Sequence, residues 1–484
     1  MNSGYTIIIG LEVHVQLATA SKLFCGCSTE FGHKPNTQTC PVCLGHPGVL
    51  PLLNRKAFEL ALKAACAFEC SIASYTKFDR KHYYYPDLPK NFQISQYDMP
   101  FSEGGSVPFL LNGKKKRVRL IRIHLEEDAG KLIHDHQKDI SYVDLNRTGT
   151  PLLEIVSEPD MTSPEEAHEY LKALKLTLQY LGVSDCNMQE GSLRCDANIN
   201  IRVGDEVTPI SEVKNLNSFR GVENALAYEA ERQFREFKKT GLTKDQSSKV
   251  TVGWDAEKEI TVLQREKEEA HDYRYFPEPD IPPVEISAEW ADQIRDTLCE
   301  LPLQRRERFI SSTGLSEYDA DVLVQDKHVA DYFEKTCGFC NPGSHKECAN
   351  MIINDVLRES KKSSCSLSDF PVSPENLAGL VSCIQEGEIN SSIARNTVFP
   401  HMVETGKTAR EVIRVNGLAQ ISDEQALSET VKKVIEENPE GVRDFLGGKK
   451  KAIGFLIGKV MQATQGRADH TVVVDLLKKH MKGE

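Results

Sequence analysis

The 484-residue sequence has no long apolar run. No segment approaches the roughly 18 consecutive apolar residues of a membrane-spanning helix, so we predict a protein without membrane spans. Residues 1–17 lack a basic region and carry Glu12 and His14 within their apolar run, which is typical of a strand and not of a signal peptide. Together these absences predict a cytoplasmic protein.

The sequence also lacks the motifs of several enzyme classes. It contains neither G-x-x-x-x-G-K-[ST] nor G-x-G-x-x-G, so a bound nucleotide is not held by a standard phosphate-binding loop. The nucleophile elbow G-x-S-x-G is missing, and no cysteine lies in an obvious nucleophile motif. We therefore do not expect the chain to hydrolyse an amide on its own.

Cysteine and positive charge are both limited. The 14 cysteines are too few for a disulfide scaffold, and without an export signal clustered cysteines favour metal binding or catalysis. The net charge of −12 argues against a chain that coats nucleic acid indiscriminately. Residues 406–484 differ, with 14 Lys and Arg against 11 Asp and Glu, or +3 against −15 for the remainder. This excess is either a solvated helical face or a patch for a phosphate backbone.

The patterning divides the chain into about three domains, as its length suggests. Residues 1–276 are rich in strand-like alternation, clearest at 5–17, and include helices that start after Asn54 and Ser163. A stiff proline-rich stretch at 276–283 precedes mainly helical periodicity. We predict an α+β domain with a mainly antiparallel sheet at 1–290, an all-α domain at 291–405 and an all-α tail at 406–484.

Two close cysteine pairs form the strongest metal-binding pattern. Cys25 and Cys27 precede Cys40 and Cys43, and flanking glycines allow a knuckle over 25–43. Four thiolates at this spacing suit one tetrahedral Zn²⁺ in a closed, structural site. Four unrelated core thiols are the alternative. A zinc deaminase does not fit, because that chemistry needs P-C-x-x-C after the H-x-E motif, and here the cysteines come first.

Carboxylates and one imidazole suggest a second kind of metal site. Glu12 and His14 share one strand face, and three acidic residues end another strand at 126–128. Glu154 interrupts an apolar strand, where a carboxylate is costly unless it is paired or binds a cation. Such ligands suit Mg²⁺, but each carboxylate could equally be half-exposed or salt-bridged.

The segment 77–87 interleaves basic residues with tyrosines, and Lys90, Asn91 and Gln93 follow it. Basic and aromatic side chains in alternation can grip phosphates and stack bases. The alternative is a loop whose tyrosines support a core.

A third cysteine cluster lies in the helical part of the chain. It comprises Cys337, Cys340, His345 and Cys348. The spacing loosely imitates a zinc knuckle, but its second interval is tight, so the pattern alone favours no metal here.

Eight segments carry a family resemblance. They are GLEVHVQL at 10–17, FDRK at 78–81, YPD at 85–87, HLEEDAGK at 124–131, DLNRTGTP at 144–151, GSLRCDAN at 191–198, KNLNS at 214–218 and DYRYFPEPD at 272–280. Together they closely resemble the B subunit of the heterotrimeric aspartyl/glutamyl-tRNA amidotransferases, over nearly the whole chain. The region 337–348 is not part of that pattern.

The resemblance implies an N-terminal cradle, a helical domain and a small helical tail. It implies that Asp-tRNA(Asn) or Glu-tRNA(Gln) is activated by ATP as an acyl phosphate and amidated with ammonia. The ammonia comes from glutamine hydrolysed by the A subunit, which agrees with the missing amidase motif. The implied partners are the A subunit, a bracing C subunit and misacylated tRNA, and the implied cofactors are ATP, Mg²⁺ and structural Zn²⁺.

The resemblance also implies site residues. The catalytic Mg²⁺ ligands that it implies are Glu12, His14, Glu127 and Glu154. Strand alternation alone places Glu126, not Glu127, with His124. The candidate partners for ATP phosphates are Arg80, Lys81 and Lys90. The competing interpretation is a non-catalytic tRNA-binding scaffold, which would not need the acidic residues to converge.

Overall fold

The computed structural model describes residues 4–135, 137–247, 249–266, 272–421, 423–449, 451–464 and 466–482. The chain forms two compact units, Met1–Leu303 and Gln304–Glu484. No helix among these described residues is long and apolar enough to cross a membrane.

The first unit mixes strands and helices. Its strands are β1 (Thr6–Gln16), β2 (Ser71–Ile72), β3 (Tyr75–Thr76), β4 (Asp79–His82), β5 (Phe92–Ser95), β6 (Ser102–Glu103), β7 (Ser106–Leu111), β8 (Lys114–Glu127), β9 (Lys131–Asp135), β10 (Ile140–Asp144), β11 (Pro151–Ser157), β12 (Leu193–Val203), β13 (Glu206–Val207), β14 (Ser211–Leu216), β15 (Val250–Asp255), β16 (Ile260–Glu266), β17 (Phe276–Pro277) and β18 (Val284–Glu285). Its helices are α1 (Arg55–Ala67), α2 (Pro164–Tyr180), α3 (Phe219–Thr240) and α4 (Ala288–Asp296).

Eleven of these strands form one large sheet. Its main path runs β16-β15-β14-β12-β1-β11-β8-β6-β2, with β13 beside β12 and β7 beside β8. Neighbouring strands on this path pair antiparallel, apart from β14 and β15, which are parallel. The path places β1, β11 and β8 side by side, although about 100 residues separate β1 from β8 in sequence.

Strand β1 shows how alternation gives the sheet an apolar face and a polar face. Leu11 and Val13 are buried in the same hydrophobic core as Leu174 of α2. Successive side chains of a strand point to opposite faces, so Glu12 and His14 project away from the core helices. The functional groups described below lie on this polar face.

Both predicted helix starts are confirmed. The Asn54 carboxamide oxygen accepts a hydrogen bond from the Ala57 N–H at 3.2 Å, and α1 begins at the next residue. Ser163 Oγ accepts from the Glu166 N–H at 3.1 Å. The Glu166 carboxylate reaches back to the N–H of Thr162, one residue before the cap, so it satisfies a donor ahead of the helix.

Helix α4 belongs to the first unit. Its Trp290 ring stacks on the Phe58 ring of α1, with 5.6 Å between ring centroids. The following residues Ile294 and Leu298 also pack against the first hydrophobic core, and the compact unit extends to Leu303.

The rest of the described chain is helical. Its helices are α5 (Pro302–Thr313), α6 (Glu317–Val324), α7 (Lys327–Gly338), α8 (His345–Met351), α9 (Leu357–Ser363), α10 (Pro374–Gln385), α11 (Ser391–Ile393), α12 (Phe399–Thr405), α13 (Ala409–Asn416), α14 (Glu424–Glu437), α15 (Pro439–Leu446), α16 (Ala452–Ala463) and α17 (His470–Lys482). A 3₁₀ turn at Pro342–Ser344 and π-helical turns at Ile352–Val356 and Ala394–Val398 connect several of them. The predicted combination of a large, mainly antiparallel sheet with a helical C-terminal region is confirmed.

Candidate functional site

Three side chains from β1, β11 and β8 converge on the polar face of the sheet. Glu154 pairs across β1 and β11 with His14, and the ligand atoms of His14, Glu126 and Glu154 all lie within 4.8 Å of one another. His14 Nε2 lies 3.5 Å from Glu154 Oε2 and 3.8 Å from Glu126 Oε1. We call these three residues the acidic group.

A second histidine supports the acidic group. His124 is opposite Glu154 across β8 and β11, and its Nε2 lies 3.2 Å from Glu154 Oε2. Burial lowers the pKa of His124, but the charges and hydrogen bonds of Glu154 and Glu126 outweigh this and raise it to about 9. Its other ring nitrogen, Nδ1, is buried and has no hydrogen-bond partner in the part of the chain that the structure describes.

The electrostatics of the acidic group favour a cation. Burial would raise the pKa of Glu154, yet His124 and His14 hold it well below its usual range. Burial would likewise lower the pKa of His14, but Glu154 and Glu126 raise it. Ionised carboxylates therefore attract positive charge at this point.

The donor set of the acidic group fits Mg²⁺. Octahedral Mg²⁺ with bonds of about 2.0–2.1 Å places neighbouring ligand atoms about 3 Å apart and opposite ones about 4 Å apart. Spacings of 3.5 and 3.8 Å between the His14 nitrogen and the two carboxylates are close to that range. Three protein ligands leave positions for water or substrate oxygens, which is the usual arrangement for this ion.

Glu12 lies next to the acidic group without joining it. It is two residues before His14 on the same face of β1. Its Oε1 accepts a hydrogen bond of 2.8 Å from the Asn198 carboxamide on β12.

Glu127 lies on the other side of the strand. It forms an ion pair with Lys90, and its carboxylate also accepts the backbone N–H of Ile94 at 2.9 Å. Alternation along β8 directs Glu126 to the polar face and turns Glu127 away from it.

The three predicted phosphate partners have different surroundings. Arg80 donates to both carboxylate oxygens of Glu278, at 2.7 and 2.9 Å, and lies 3.2 Å from Asp280. Lys90 is paired with Glu127. The positive charges of both side chains are therefore already neutralised.

Lys81 is a basic side chain whose charge interacts with the carboxylates of the acidic group. Its Nζ lies 4.9 Å from the Tyr273 ring centre and 5.7 Å from that of Tyr83. Burial lowers the pKa of Lys81, but Glu126 and Glu154 are among the groups whose charges raise it well above its usual range.

Sequence reasoning assigned no individual role to two polar partners on the same face, Asp128 and Arg194. Asp128 accepts a hydrogen bond of 2.6 Å from Arg194 and one of 2.8 Å from Gln16. Arg194 lies opposite His14 across β1 and β12. The alternation of β12 was the available signal, because Arg194 precedes Asp196 by two residues and so shares its face of the strand.

The four cysteines at 25–43 come together as one cluster. Their sulfur atoms all lie within 4.8 Å of one another, and the Cys40 and Cys43 sulfurs are 3.9 Å apart. Tetrahedral zinc with Zn–S bonds of about 2.3 Å requires sulfurs about 3.8 Å apart, so this geometry fits the ion.

Cys43 is the cysteine of the cluster whose surroundings most clearly favour the thiolate form. Its hydrogen bond with Cys25 lowers its pKa to about 4, and the nearby Lys22 also favours the thiolate. The Cys40 N–H lies 3.2 Å from Cys43 Sγ, and the fully buried Lys22 ammonium lies 3.7 Å from it. Burial, in contrast, raises the pKa of Cys27 to about 11.

A cavity of about 220 Å³ lies between the cysteine cluster and the Lys90–Glu127 pair. Cys43 and Gly45 line one side of it, and Arg80, Lys90 and Glu127 line another. Gly45 has a φ of +69°, and an added Cβ would collide with the Lys90 side chain, so the loop packs tightly at this point.

Comparisons with known proteins agree over most of the chain. Residues 7–292 match the family model described as the GatB/GatE catalytic domain, and residues 331–481 match the GatB domain. A protein of Carboxydothermus hydrogenoformans, named as the B subunit of an aspartyl/glutamyl-tRNA(Asn/Gln) amidotransferase, is 48% identical over 480 residues, covering 98% of each chain. A protein of the same name from Thermoanaerobacter sp. strain X514 is 49% identical over 479 residues, covering 99% of each chain.

Proposed function

This chain belongs to the GatB family, the B subunits of aspartyl/glutamyl-tRNA(Asn/Gln) amidotransferases, and we propose that the polar face of its large sheet activates the substrate. The protein is a subunit of a tRNA-dependent amidotransferase, an enzyme of protein biosynthesis. The observation that carries the proposal is the convergence of His14, Glu126 and Glu154. A tRNA-binding scaffold without catalysis has no need of such a group.

The proposed chemistry has two steps. The side-chain carboxylate of Asp-tRNA(Asn) or Glu-tRNA(Gln) attacks the γ-phosphorus of ATP, ADP leaves, and the carboxylate becomes an acyl phosphate. Ammonia then displaces phosphate, which gives Asn-tRNA(Asn) or Gln-tRNA(Gln). The acidic group would hold Mg²⁺, which when bound offsets negative charge on the transferring phosphoryl group.

Among the basic residues we assign the direct role to Lys81. Its ammonium is held over Tyr83 and Tyr273 and is under the influence of the Glu126 charge. It is therefore placed to neutralise a phosphate oxygen bound at the acidic group. Arg80 and Lys90 would contact a phosphate only by releasing their present carboxylate partners, so we assign them a supporting role in ATP binding.

We assign different roles to the two remaining carboxylates of the predicted set. Glu12 shares the face of His14 and is proposed to act beside the metal ion, where its hydrogen bond with Asn198 orients it. Glu127 is the alternative to Glu126 as a ligand, but reaching the polar face would require it to leave Lys90 and the Ile94 N–H. We therefore propose Glu126 as the ligand.

The cysteine cluster is proposed to hold structural zinc. Four thiolates complete a tetrahedral ion and leave no open position for substrate. The ion would fasten the loop 25–43 against the cavity wall that contains Lys90 and Glu127. Zinc would thus stabilise the surroundings of the site without taking part in the reaction.

The chain is proposed to work as one part of a larger assembly, because the relatives are named as B subunits. We propose an A subunit that hydrolyses glutamine to supply ammonia, and a C subunit that braces the other two. Misacylated tRNA is the shared substrate.

From the sequence we propose three domains, at 1–290, 291–405 and 406–484. The packing of α4 on the first core and of α13 on the helical core moves these boundaries later, to about Leu303 and Ala419. Two separate hydrophobic clusters in the second unit support a division of its helices. Ala409, Val412 and Ile413 of α13 pack in the earlier cluster, whereas Leu427 and later residues form the last one. A truncation that removes the tail without opening the earlier cluster should therefore end at Ala419.

Reconstitution tests the proposed function. With A and C subunits present, the chain should convert Asp-tRNA(Asn) or Glu-tRNA(Gln) to the amidated form only when both ATP and glutamine are added. Thin-layer analysis of the amino acid released from tRNA measures the product. Equal amidation in a mixture that lacks this chain would overturn the proposal.

The tail is proposed to bind the body of the tRNA. The assembly truncated after Ala419 should bind tRNA more weakly and with a shallower salt dependence, because fewer phosphate contacts release fewer counterions. Lys449→Gln with Lys451→Gln in the full-length chain should flatten the slope of log K against log salt by about 1–2, at roughly 0.7–0.9 per lost contact. Filter binding at several salt concentrations measures both effects. Unchanged affinity in the truncated assembly would contradict this role.

A further inference from the structure

We propose that the corner between α7 and α8 binds a second thiophilic metal ion of the Zn²⁺ class, through Cys337, Cys340, Cys348 and His345. The corner lies in the helical second unit, so this ion is distinct from the one proposed at residues 25–43. None of the functional roles assigned above uses these four residues.

The three thiols meet around Cys348. The sulfurs of Cys340 and Cys348 are 3.4 Å apart, and the Cys337 thiol hydrogen-bonds with Cys348. Cys348 is the thiol that both contacts share, and the spacing of its pair with Cys340 is comparable to that of Cys40 and Cys43, whose sulfurs are 3.9 Å apart. Thiolates at such distances are the ligands that zinc prefers.

The backbone brings all four ligands to one corner. Cys337 lies in the last turn of α7 and Cys340 follows three residues later, while His345 and Cys348 are three residues apart on α8. Residues three apart on a helix lie on the same face, so α8 presents an imidazole and a thiol together. His345 Nδ1 is buried and has no hydrogen-bond partner among the described residues, which leaves a nitrogen available as the fourth ligand.

The corner is accessible to an ion. Metal binding requires the thiols to lose their protons to solvent, so part of the cluster must be reachable from solvent. Cys348 is fully buried in the helical core, while Cys337 and Cys340 are half-buried and leave a route from solvent.

The four proposed ligands at 337–348 lie farther apart than the four cysteines at 25–43. No three of their ligand atoms lie mutually within 4.8 Å in the described structure, whereas the four sulfurs of Cys25, Cys27, Cys40 and Cys43 do. Binding therefore requires the Cys337 and His345 side chains to turn toward Cys348. The ion would then fix the turn 339–344 between the two helices.

Metal counting on the full-length chain tests the proposal. Protein purified without chelator should contain two zinc ions per chain by mass spectrometry of the metal. Cys340→Ser and Cys337→Ser should each contain one, because each removes a half-buried ligand without opening the core. The matched control is Cys365→Ser, which replaces another half-buried thiol of the same unit. Among the hydrogen bonds described, the Cys365 sulfur contacts only the Ser366 carbonyl, so this variant should keep two zinc ions.

Cobalt substitution separates the two sites. Cys43→Ser disables the first site, so Co²⁺ added to this variant should still give sulfur-to-cobalt charge-transfer absorption. Adding Cys340→Ser to it should abolish that absorption. The proposal is overturned if wild-type protein holds a single zinc that Cys43→Ser removes entirely. It is equally overturned if Cys340 and Cys348 are recovered as a disulfide, two mass units lighter, from protein kept under reductant.

Discussion

Glu126→Gln and Glu154→Gln should each lower ATP-dependent amidation by roughly 10²–10³-fold, the loss seen when one preorganised electrostatic partner of a transition state is removed. Both substitutions keep the shape of the side chain but remove a charge from the acidic group, whose atoms lie within 4.8 Å of His14. The proposed Mg²⁺ would then be bound weakly and would no longer offset the phosphoryl charge. Glutamine hydrolysis by the A subunit should continue at its basal rate. Single-turnover amidation with the reconstituted assembly measures the effect.

Two further variants make this test specific. Glu103→Gln changes an exposed carboxylate on β6 of the same sheet and should amidate like wild type. Glu127→Gln distinguishes the two candidate ligands, because it breaks the pair with Lys90 and leaves the acidic group intact. We expect it to be less impaired than Glu126→Gln, and to keep the Mg²⁺ concentration for half-maximal rate close to that of wild type. The opposite order would show that Glu127, and not Glu126, is the ligand.

The sequence predicts local features of this molecule better than long-range ones. The cysteine cluster is visible from spacing alone, because its four ligands lie within 19 residues and the loop between them is short. Alternation along β1 and β8 likewise indicates which side chains share a face. The family resemblance implied Glu127, while alternation placed Glu126 on the face of His124, and the structure brings Glu126 to His14.

Contacts between strands that are distant in sequence could not be predicted from local patterns. Arg80 is neutralised by Glu278, which is 198 residues away, and that pair depends on β17 lying beside β4. The pairing of His14 with Glu154 depends on the register of β1 against β11. Register is fixed by the packing of whole strands against a core, so no single motif contains it.

The cysteine cluster provides the second large effect, and Cys43 should be more sensitive than its neighbours. The Cys43 thiolate has a partner that the other cysteines do not share in the contacts described. The Lys22 ammonium is fully buried and lies 3.7 Å from the Cys43 sulfur, and its remaining hydrogen bond goes to the Gln38 carbonyl. Removing one member of a buried charge pair costs about 3–5 kcal/mol, because the other charge stays desolvated.

Cys43→Ser should therefore destabilise the first unit more than Cys25→Ser does. Both variants should lose one zinc ion, since each removes one of four ligands. Adding a chelator removes the contribution of zinc to the free energy of unfolding of wild type and of both variants. Any remaining difference between the variants then reports the interaction of Lys22 with the Cys43 thiolate. Under those conditions Cys25→Ser should unfold in urea much like chelated wild type, while Cys43→Ser should remain less stable by about 3 kcal/mol. If the two variants have the same free energy of unfolding in chelator, the buried Lys22 ammonium is not stabilised by the Cys43 thiolate. The cluster would then stabilise the loop through the metal ion alone.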